Sequence, residues 1–330
     1  MTTDDPTLPR PRVVVLTAEG TPPPSTDSAL RDLAHVVHTD AEHLAEALPG
    51  ADVLFVWDFF SGALADAWHA ADALRWIHVA AAGVDSLLFD DLADSDVLVT
   101  NARGVFDRPI AEFVAASVLA HDKLLYQSKS LQEAGTWAHR EPRRTAGARA
   151  LVVGTGGIGR ATARLLAALG MRVSGAGRVA RENDPDFGTV IASADLATHV
   201  DDVDHLVLVA PLTEQTRGLV GREVLDALPE HAHLVNVGRG ALVDEPALVE
   251  ALQEGSIAAA SLDVFEVEPL PAGHPFWTMG QVAVSAHMSG DVHGWRDALA
   301  EQFEENLRRY VAGEQPGPAV DKTSGYVPSS

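Results

Sequence analysis

Cysteine is absent from the 330 residues. That excludes disulfides and any metal site built on thiolates. No apolar run approaches the roughly 20 residues that a membrane span requires. The first residues, Met1-Thr-Thr-Asp-Asp-Pro, lack the basic start and apolar stretch of a secretory signal. A cytoplasmic protein with no membrane partner is therefore expected. Basic residues are scarce, with 24 Lys and Arg against 47 Asp and Glu and a formal net charge of -23. Such a field repels a phosphate backbone, so nucleic acid is not an expected partner. The acidic surplus reads as a solvated surface, and an anionic substrate would need a local basic pocket. The histidines show no convincing ligand spacing. His231 and His233 alternate on an expected strand edge and read as surface or core residues, so no metal site is expected.

What the chain does have is ample apolar material, 46% of its residues, and a length that suggests two domains. Short apolar runs alternate with segments of helical period, which is the pattern of α/β architecture with parallel sheets. Expected strands are Val13–Leu16, Asp52–Val56, Trp76–Val79, Val97–Thr100, Ala148–Val153, Arg172–Ala176, His205–Val209, His233–Val237, Ile257–Asp263 and Val282–Ser285. Helices are expected over 64–74, 109–131, 158–169, 221–227, 246–254 and 294–312. In the last of these, Trp295, Leu299, Phe303, Leu307 and Tyr310 fall at helical spacing and read as core packing. Residues 1–11 and the stretch from about Gly313 to Ser330 read as loose ends.

The strand ending at Val153 runs into Gly154-Thr-Gly156-Gly157-Ile158-Gly159 and then a helix. That context gives the GxGxxG spacing its meaning as a dinucleotide site. Gly154 permits the sharp turn, Gly156 lets the backbone approach a pyrophosphate, and Gly159 allows close packing of helix on strand. Gly157 and Ile158 open the helix, whose N–H groups and positive dipole end face the phosphates. An NAD site wants an acid about 20 residues further on. Here the next strand ends Ser174-Gly-Ala-Gly177-Arg178, so a planar cation replaces the acid, with Arg181 nearby. That favours NADP(H) over NAD(H), because a guanidinium suits a 2′-phosphate. Further along come Arg239, Glu268 and His287. A cation, a carboxylate and an imidazole are the groups needed to move a hydride and a proton to a keto acid.

These motifs in combination resemble the D-isomer-specific 2-hydroxyacid dehydrogenases, particularly the glyoxylate/hydroxypyruvate reductase-like members. The resemblance runs from about Val53 to Arg309. It is carried by Ala81-Ala-Gly-Val-Asp85, Thr100-Asn-Ala-Arg-Gly104, the glycine turn, Pro211-Leu-Thr213, Asn236-Val-Gly-Arg-Gly240, Leu262-Asp-Val-Phe-Glu-Val-Glu-Pro269 and His287-Met-Ser-Gly290. It implies two doubly wound parallel-sheet domains. A Rossmann nucleotide-binding domain, residues 105–289, is inserted in a flavodoxin-like substrate domain made of 1–104 and 290–330. The active site is implied to lie in a cleft whose closure excludes water. A homodimer formed through the nucleotide domain and the arm around Leu131–Arg144 is also implied.

By the same resemblance His287 is the general acid/base. Glu268 accepts a hydrogen bond from its far ring nitrogen, which fixes the tautomer and favours the protonated ring. Arg239 grips the substrate carboxylate and polarises the keto oxygen. The backbone at Ala82, Gly83 and Val84 offers N–H groups to that carboxylate. Asp263 contacts the nicotinamide carboxamide, and Pro211 and Val237 line the cofactor cleft. Trp57, Phe59 and Phe60 follow a strand and either cover a substrate side chain or simply pack. The leading expectation is an NADP(H)-dependent 2-keto acid reductase. The alternative is a non-catalytic dinucleotide sensor, against which the retained Arg239, Glu268 and His287 speak. Formate or phosphite oxidation and 3-phosphoglycerate oxidation are weaker enzymatic alternatives. Glu268 speaks against the formate reaction. The absence of room for a regulatory domain after the last helix speaks against the phosphoglycerate reaction.

Overall fold

The computed structural model describes residues 10–323 and 325–326. The chain divides into two compact units, Met1–Val105 with His293–Ser330, and Phe106–Val292.

The first unit is built on five parallel strands: β1 (Arg12–Leu16), β2 (His35–Thr39), β3 (Val53–Val56), β4 (Trp76–Val79) and β5 (Leu98–Asn101). Their order is β2-β1-β3-β4-β5, the flavodoxin-like doubly wound arrangement. β3 and β4 are buried along their whole length, as a sheet covered on both faces requires. The helix Trp295–Val311 belongs to this unit. Leu299, Phe303 and Leu307 are buried, and the Phe303 ring stacks on Phe55 with centroids 3.9 Å apart. The core reading of that stripe holds for these three positions.

The second unit carries β6 (Arg149–Val153), β7 (Arg172–Gly177), β8 (Arg181–Asp184), β9 (Gly188–Ala192), β10 (His205–Leu208), β11 (His233–Asn236), β12 (Ala259–Leu262) and β13 (Val282–Val284). The order is β13-β12-β11-β10-β6-β7-β9-β8. Apart from the antiparallel edge strand β8, this is the Rossmann order. The reversal point lies between β6 and β10, where open α/β sheets place their ligands.

Three features depart from the sequence reading. The helix expected over 109–131 is two helices, Asp107–Asp122 and Leu125–Glu133. They are broken where Leu124 takes a left-handed conformation, φ 56°. The helix expected over 64–74 ends sooner, as Ala63–Ala67 followed by a single tight turn. The stretch from Gly313 is not loose within the described residues. Val320 is buried in the first unit's core, its N–H donates to Val99 O at 2.8 Å, and Lys322 Nζ donates to Leu92 O (2.9 Å), Val97 O (3.2 Å) and Ser95 O. An apolar anchor and an ammonium serving three partly buried backbone carbonyls hold a segment whose composition reads as linker. Of the stretch 1–11, residues 1–9 lie outside the described residues, as do 324 and 327–330 of the tail.

His233 is a core residue and part of a buried histidine cluster. At the starts of β10 and β11 the Nδ1 atoms of His205 and His233 lie 3.2 Å apart. His233 Nε2 is 2.9 Å from Ser261 Oγ, and His121 stacks on the His233 ring at 4.3 Å. His231 is exposed and sits 3.0 Å from Asp204. No group of three or more His, Asp or Glu among the described residues is arranged to hold a metal ion. No helix there is long and apolar enough to cross a membrane.

Candidate active site

The glycine turn leaves β6 with Gly154 at φ 110°, a conformation L side chains rarely adopt. A Cβ at Gly154 would stand 2.7 Å from Ala210 N, so the turn lies directly on the backbone that follows β10. A Cβ at Gly159 would overlap Gly154 O, which is why the helix Gly157–Ala168 can start so close to the strand. At Gly156 an added Cβ would meet nothing within 4 Å. The turn is thus closed toward the protein and open at its outer edge, a surface that fits a dinucleotide pyrophosphate. Gly157 is different, because its missing Cβ makes room for the Asp107 carboxylate.

The end of β7 also depends on small residues. A Cβ added at Gly175 would stand 3.0 Å from the Phe187 ring, and one at Gly177 3.1 Å from Thr155 Oγ1. Arg178 follows at an exposed position. Arg181, expected as a second cation there, donates through Nε to Asp184 Oδ2 at 2.8 Å.

Three loops at the C-terminal ends of β11, β12 and β13 bring together the residues of the expected catalytic set. After β11, Asn236 Nδ2 donates to Arg239 O at 2.9 Å, and Gly238 N–H donates to Asn236 Oδ1 at 3.1 Å. The side chain of Asn236 therefore shapes the loop that presents Arg239. Gly240 rests against the backbone of Phe265 and Glu266, where any Cβ would overlap. This contact ties the Arg239 loop to the one that carries Glu268. Glu268 Oε1 accepts from Phe265 N–H at 2.9 Å, and its Oε2 lies 2.7 Å from His287 Nδ1. Burial works to raise the Glu268 pKa. The His287 hydrogen bond, the Phe265 N–H and the nearby Arg239 charge outweigh it and hold the carboxyl below its ordinary range. The side chains of His287 and Glu268 are 30% and 32% exposed, so the pair is reachable yet partly shielded.

His287 itself has φ 49°, a strained backbone for a residue with a Cβ. Its loop is held by Asp263, which is fully buried. Asp263 O accepts from His287 N–H at 2.8 Å. The carboxylate accepts from Ser285 Oγ (2.6 Å), Met288 N–H (3.0 Å) and Ser289 N–H (2.8 Å). Sequence reasoning assigned Asp263 to the nicotinamide and missed this anchoring of the His287 loop. The only available signal was an acid at a strand end, which does not say what it binds.

Val237 is buried and Pro211 exposed, each in the segment just after its strand. Ala82, Gly83 and Val84 belong to the other unit, in the turn after β4. Asn101 Nδ2 donates to Ala82 O at 2.5 Å and Ala102 N–H donates to Ala81 O at 2.9 Å, fixing that turn. Trp57 is buried, with Nε1 donating to Pro22 O at 2.9 Å, so it packs. Phe60 is 64% exposed.

Comparison with known proteins identifies the family. Residues 115–289 match the family model described as D-isomer specific 2-hydroxyacid dehydrogenase, NAD binding domain. The chain is similar to the glyoxylate reductase of Korarchaeum cryptofilum, 33% identical over 269 residues, covering 78% of this chain and 79% of that protein. Among solved structures it is similar to a D-isomer specific 2-hydroxyacid dehydrogenase from Xanthobacter autotrophicus in complex with NADPH and MES. That likeness has 32% identity and a TM-score of 0.79, and covers 96% of this chain and all of the other. An NADPH-dependent glyoxylate/hydroxypyruvate reductase from Sinorhizobium meliloti, in complex with NADP and malonate, shares 27% identity at a TM-score of 0.81, over 97% and 99% of the two chains. The chain belongs to the D-isomer specific 2-hydroxyacid dehydrogenase family. It is an NAD(P)-dependent oxidoreductase acting on small keto or hydroxy acids.

Proposed function

We propose that this enzyme reduces 2-keto acids to D-2-hydroxy acids with NADP(H) in preference to NAD(H), using His287 as general acid/base. The observation that carries the reading is the 2.7 Å contact of His287 Nδ1 with Glu268 Oε2. With Nδ1 committed to a carboxylate, Nε2 is the ring nitrogen assigned to proton transfer. The dinucleotide, when bound, supplies the hydride. In reduction, His287 gives its proton to the keto oxygen as C2 gains the hydride, and takes it back in the reverse direction. Glu268 fixes the ring and stabilises its charge. Arg239 holds the substrate carboxylate and polarises the carbonyl, and the backbone N–H groups of Ala82, Gly83 and Val84 are assigned to substrate binding.

Gly154, Gly156, Gly157, Ile158 and Gly159 are assigned to the pyrophosphate, Pro211 and Val237 to the wall of the cofactor site, and Asp263 to the nicotinamide carboxamide. Arg178 is assigned to the 2′-phosphate. Its support is the absence of an acid at the end of β7 and the NADPH and NADP named in the similar structures. The homodimer reading rests on exposed apolar side chains of the second unit, Leu125 and Tyr126 on one helix and the fully exposed Trp137 beyond it. The test is an Arg178→Ala variant assayed with both dinucleotides. A fall in efficiency with NADPH alone supports the assignment, and an unchanged ratio of the two efficiencies refutes it.

A further inference from the structure

Beyond β7, an ion network centres on Asp184, the last residue of β8. Its side chain is 3% exposed. Arg160 NH1 and NH2 reach its two carboxylate oxygens, both at 3.1 Å. Arg181 Nε donates to Oδ2 at 2.8 Å. The backbone N–H groups of Asp186 and Phe187 donate to Oδ1 at 3.0 and 3.3 Å. Asp186 extends the network, accepting from Arg160 NH1 at 2.7 Å and Arg164 Nε at 2.6 Å. Burial opposes the charge on Asp184, but the Arg160 and Arg181 contacts and the backbone donors hold its carboxyl far below the usual range. It is therefore a permanent anion at neutral pH.

The placement matters more than the number of bonds. Arg160 is the residue directly after Gly159, in the first turns of the helix that follows the glycine turn. Its guanidinium also lies over the Phe187 ring, 5.7 Å from the centroid, and that ring packs on Gly175 in β7. Arg181 opens β8, three residues after Arg178. The short turn 178–180 is thus bounded on one side by β7, registered on β6 and β9, and on the other by the Arg181–Asp184 pair. The glycine turn and the Arg178 turn are clamped to one buried carboxylate.

We propose that Arg181 is a positioning residue for cofactor discrimination. Acting through Asp184 and Arg160, it fixes the Arg178 turn at the place where the extra phosphate of a 2′-phosphorylated dinucleotide binds, and does not itself touch that phosphate. This rests on the NADP(H) reading above. A guanidinium held in place recognises a phosphate without first losing its loop freedom, so the clamp contributes to NADPH affinity and not to NADH affinity. It also explains why two arginines so close together are used differently.

The test compares equilibrium dissociation constants for NADPH and NADH, followed by cofactor fluorescence. The proteins are wild type, Arg181→Ala, Asp184→Asn, the double variant and Arg178→Ala. Arg181 is 36% exposed on its side chain, so its replacement keeps the measurement available if loss of the buried carboxylate prevents folding. The expected result is NADPH weakened about fivefold in Arg181→Ala with NADH unchanged. Asp184→Asn, which also releases Arg160 behind the glycine turn, weakens NADPH about fivefold more than it weakens NADH, and the double variant keeps the NADPH-to-NADH ratio of Asp184→Asn alone. Equal weakening of both dinucleotides in Arg181→Ala would be a structural defect and would overturn the proposal. So would Asp184→Asn leaving NADPH binding intact while Arg181→Ala weakens it, because a released Arg181 would then be acting as a ligand. Failure of the underlying NADP(H) reading looks different, with Arg178→Ala leaving the ratio of the two constants unchanged.

Discussion

His78 makes the first unit sensitive to acid. It lies on β4, fully buried among the rings of Phe55, Trp76 and Phe303. Trp76 Nε1 donates to Thr100 Oγ1 at 2.9 Å, and the same oxygen lies 2.8 Å from His78 Nδ1. Thr100 and the ring share one hydrogen bond there, and Nε2 has no hydrogen-bond partner. A doubly protonated ring would bury a charge and leave the Nε2 proton unpaired. Burial pushes the pKa from 6.5 down to about 3. Because the folded value is the lower one, the unfolded chain takes the proton first. Stability is full above pH 6.5 and falls as the pH drops from there toward 3. Linkage between pH 7.5 and 5.0 gives a loss of about 2 kcal/mol from this one group. His78→Phe keeps an aromatic ring but removes the titration. It removes the hydrogen bond between Thr100 and the ring, which costs about 1 kcal/mol at neutral pH. Urea unfolding at the two pH values, followed by tryptophan fluorescence, should show the variant losing about 2 kcal/mol less than the wild type on acidification. Other buried groups titrate equally in both proteins and cancel. An identical loss in the two proteins would refute the reasoning.

His287→Ala should lower kcat with a 2-keto acid by about 10²- to 10⁴-fold while leaving dinucleotide affinity nearly unchanged, measured by steady-state kinetics beside fluorescence titration. Glu268→Gln keeps an acceptor but loses the charge. The native carboxyl titrates below its ordinary range, so its carboxylate persists as the pH falls toward 4.5. The variant's kcat should be low across a pH series from 5 to 8, and recovery at any pH in that series would count against the role. Gly240→Ala would force a Cβ into the backbone of Phe265. It should depress activity by displacing the Arg239 and Glu268 loops, with a lowered melting temperature in the same sample.

Most of the parallel strands were legible because each is a short apolar run closed by turn residues, and the glycine turn because its spacing follows one of them; β2, His35-Val-Val-His-Thr39, was not, because only two of its five residues are apolar. The hairpin β8–β9 was not. Arg181-Glu-Asn-Asp184 is wholly polar and forms an edge strand held by an antiparallel neighbour and the Arg160 guanidinium, so no hydrophobic period marks it. Leu124 carried no sign of its left-handed turn, since leucine favours the helix it interrupts. The identities of Arg239, Glu268 and His287 were readable from their motifs. Their grouping into one site came with the family resemblance, but the way the loops are held did not, because it depends on Asn236, Gly240 and Asp263 in three separate loops. The histidine cluster was hidden for the same reason, as His121, His205 and His233 meet only through the register of β10 on β11.

The most direct measurement follows NADPH and NADH oxidation side by side by absorbance, with glyoxylate, hydroxypyruvate, pyruvate and phenylpyruvate. The account predicts turnover with at least one of these acids, at an efficiency with NADPH well above that with NADH. Absence of turnover with every pair, in protein that still binds the dinucleotide, would contradict it.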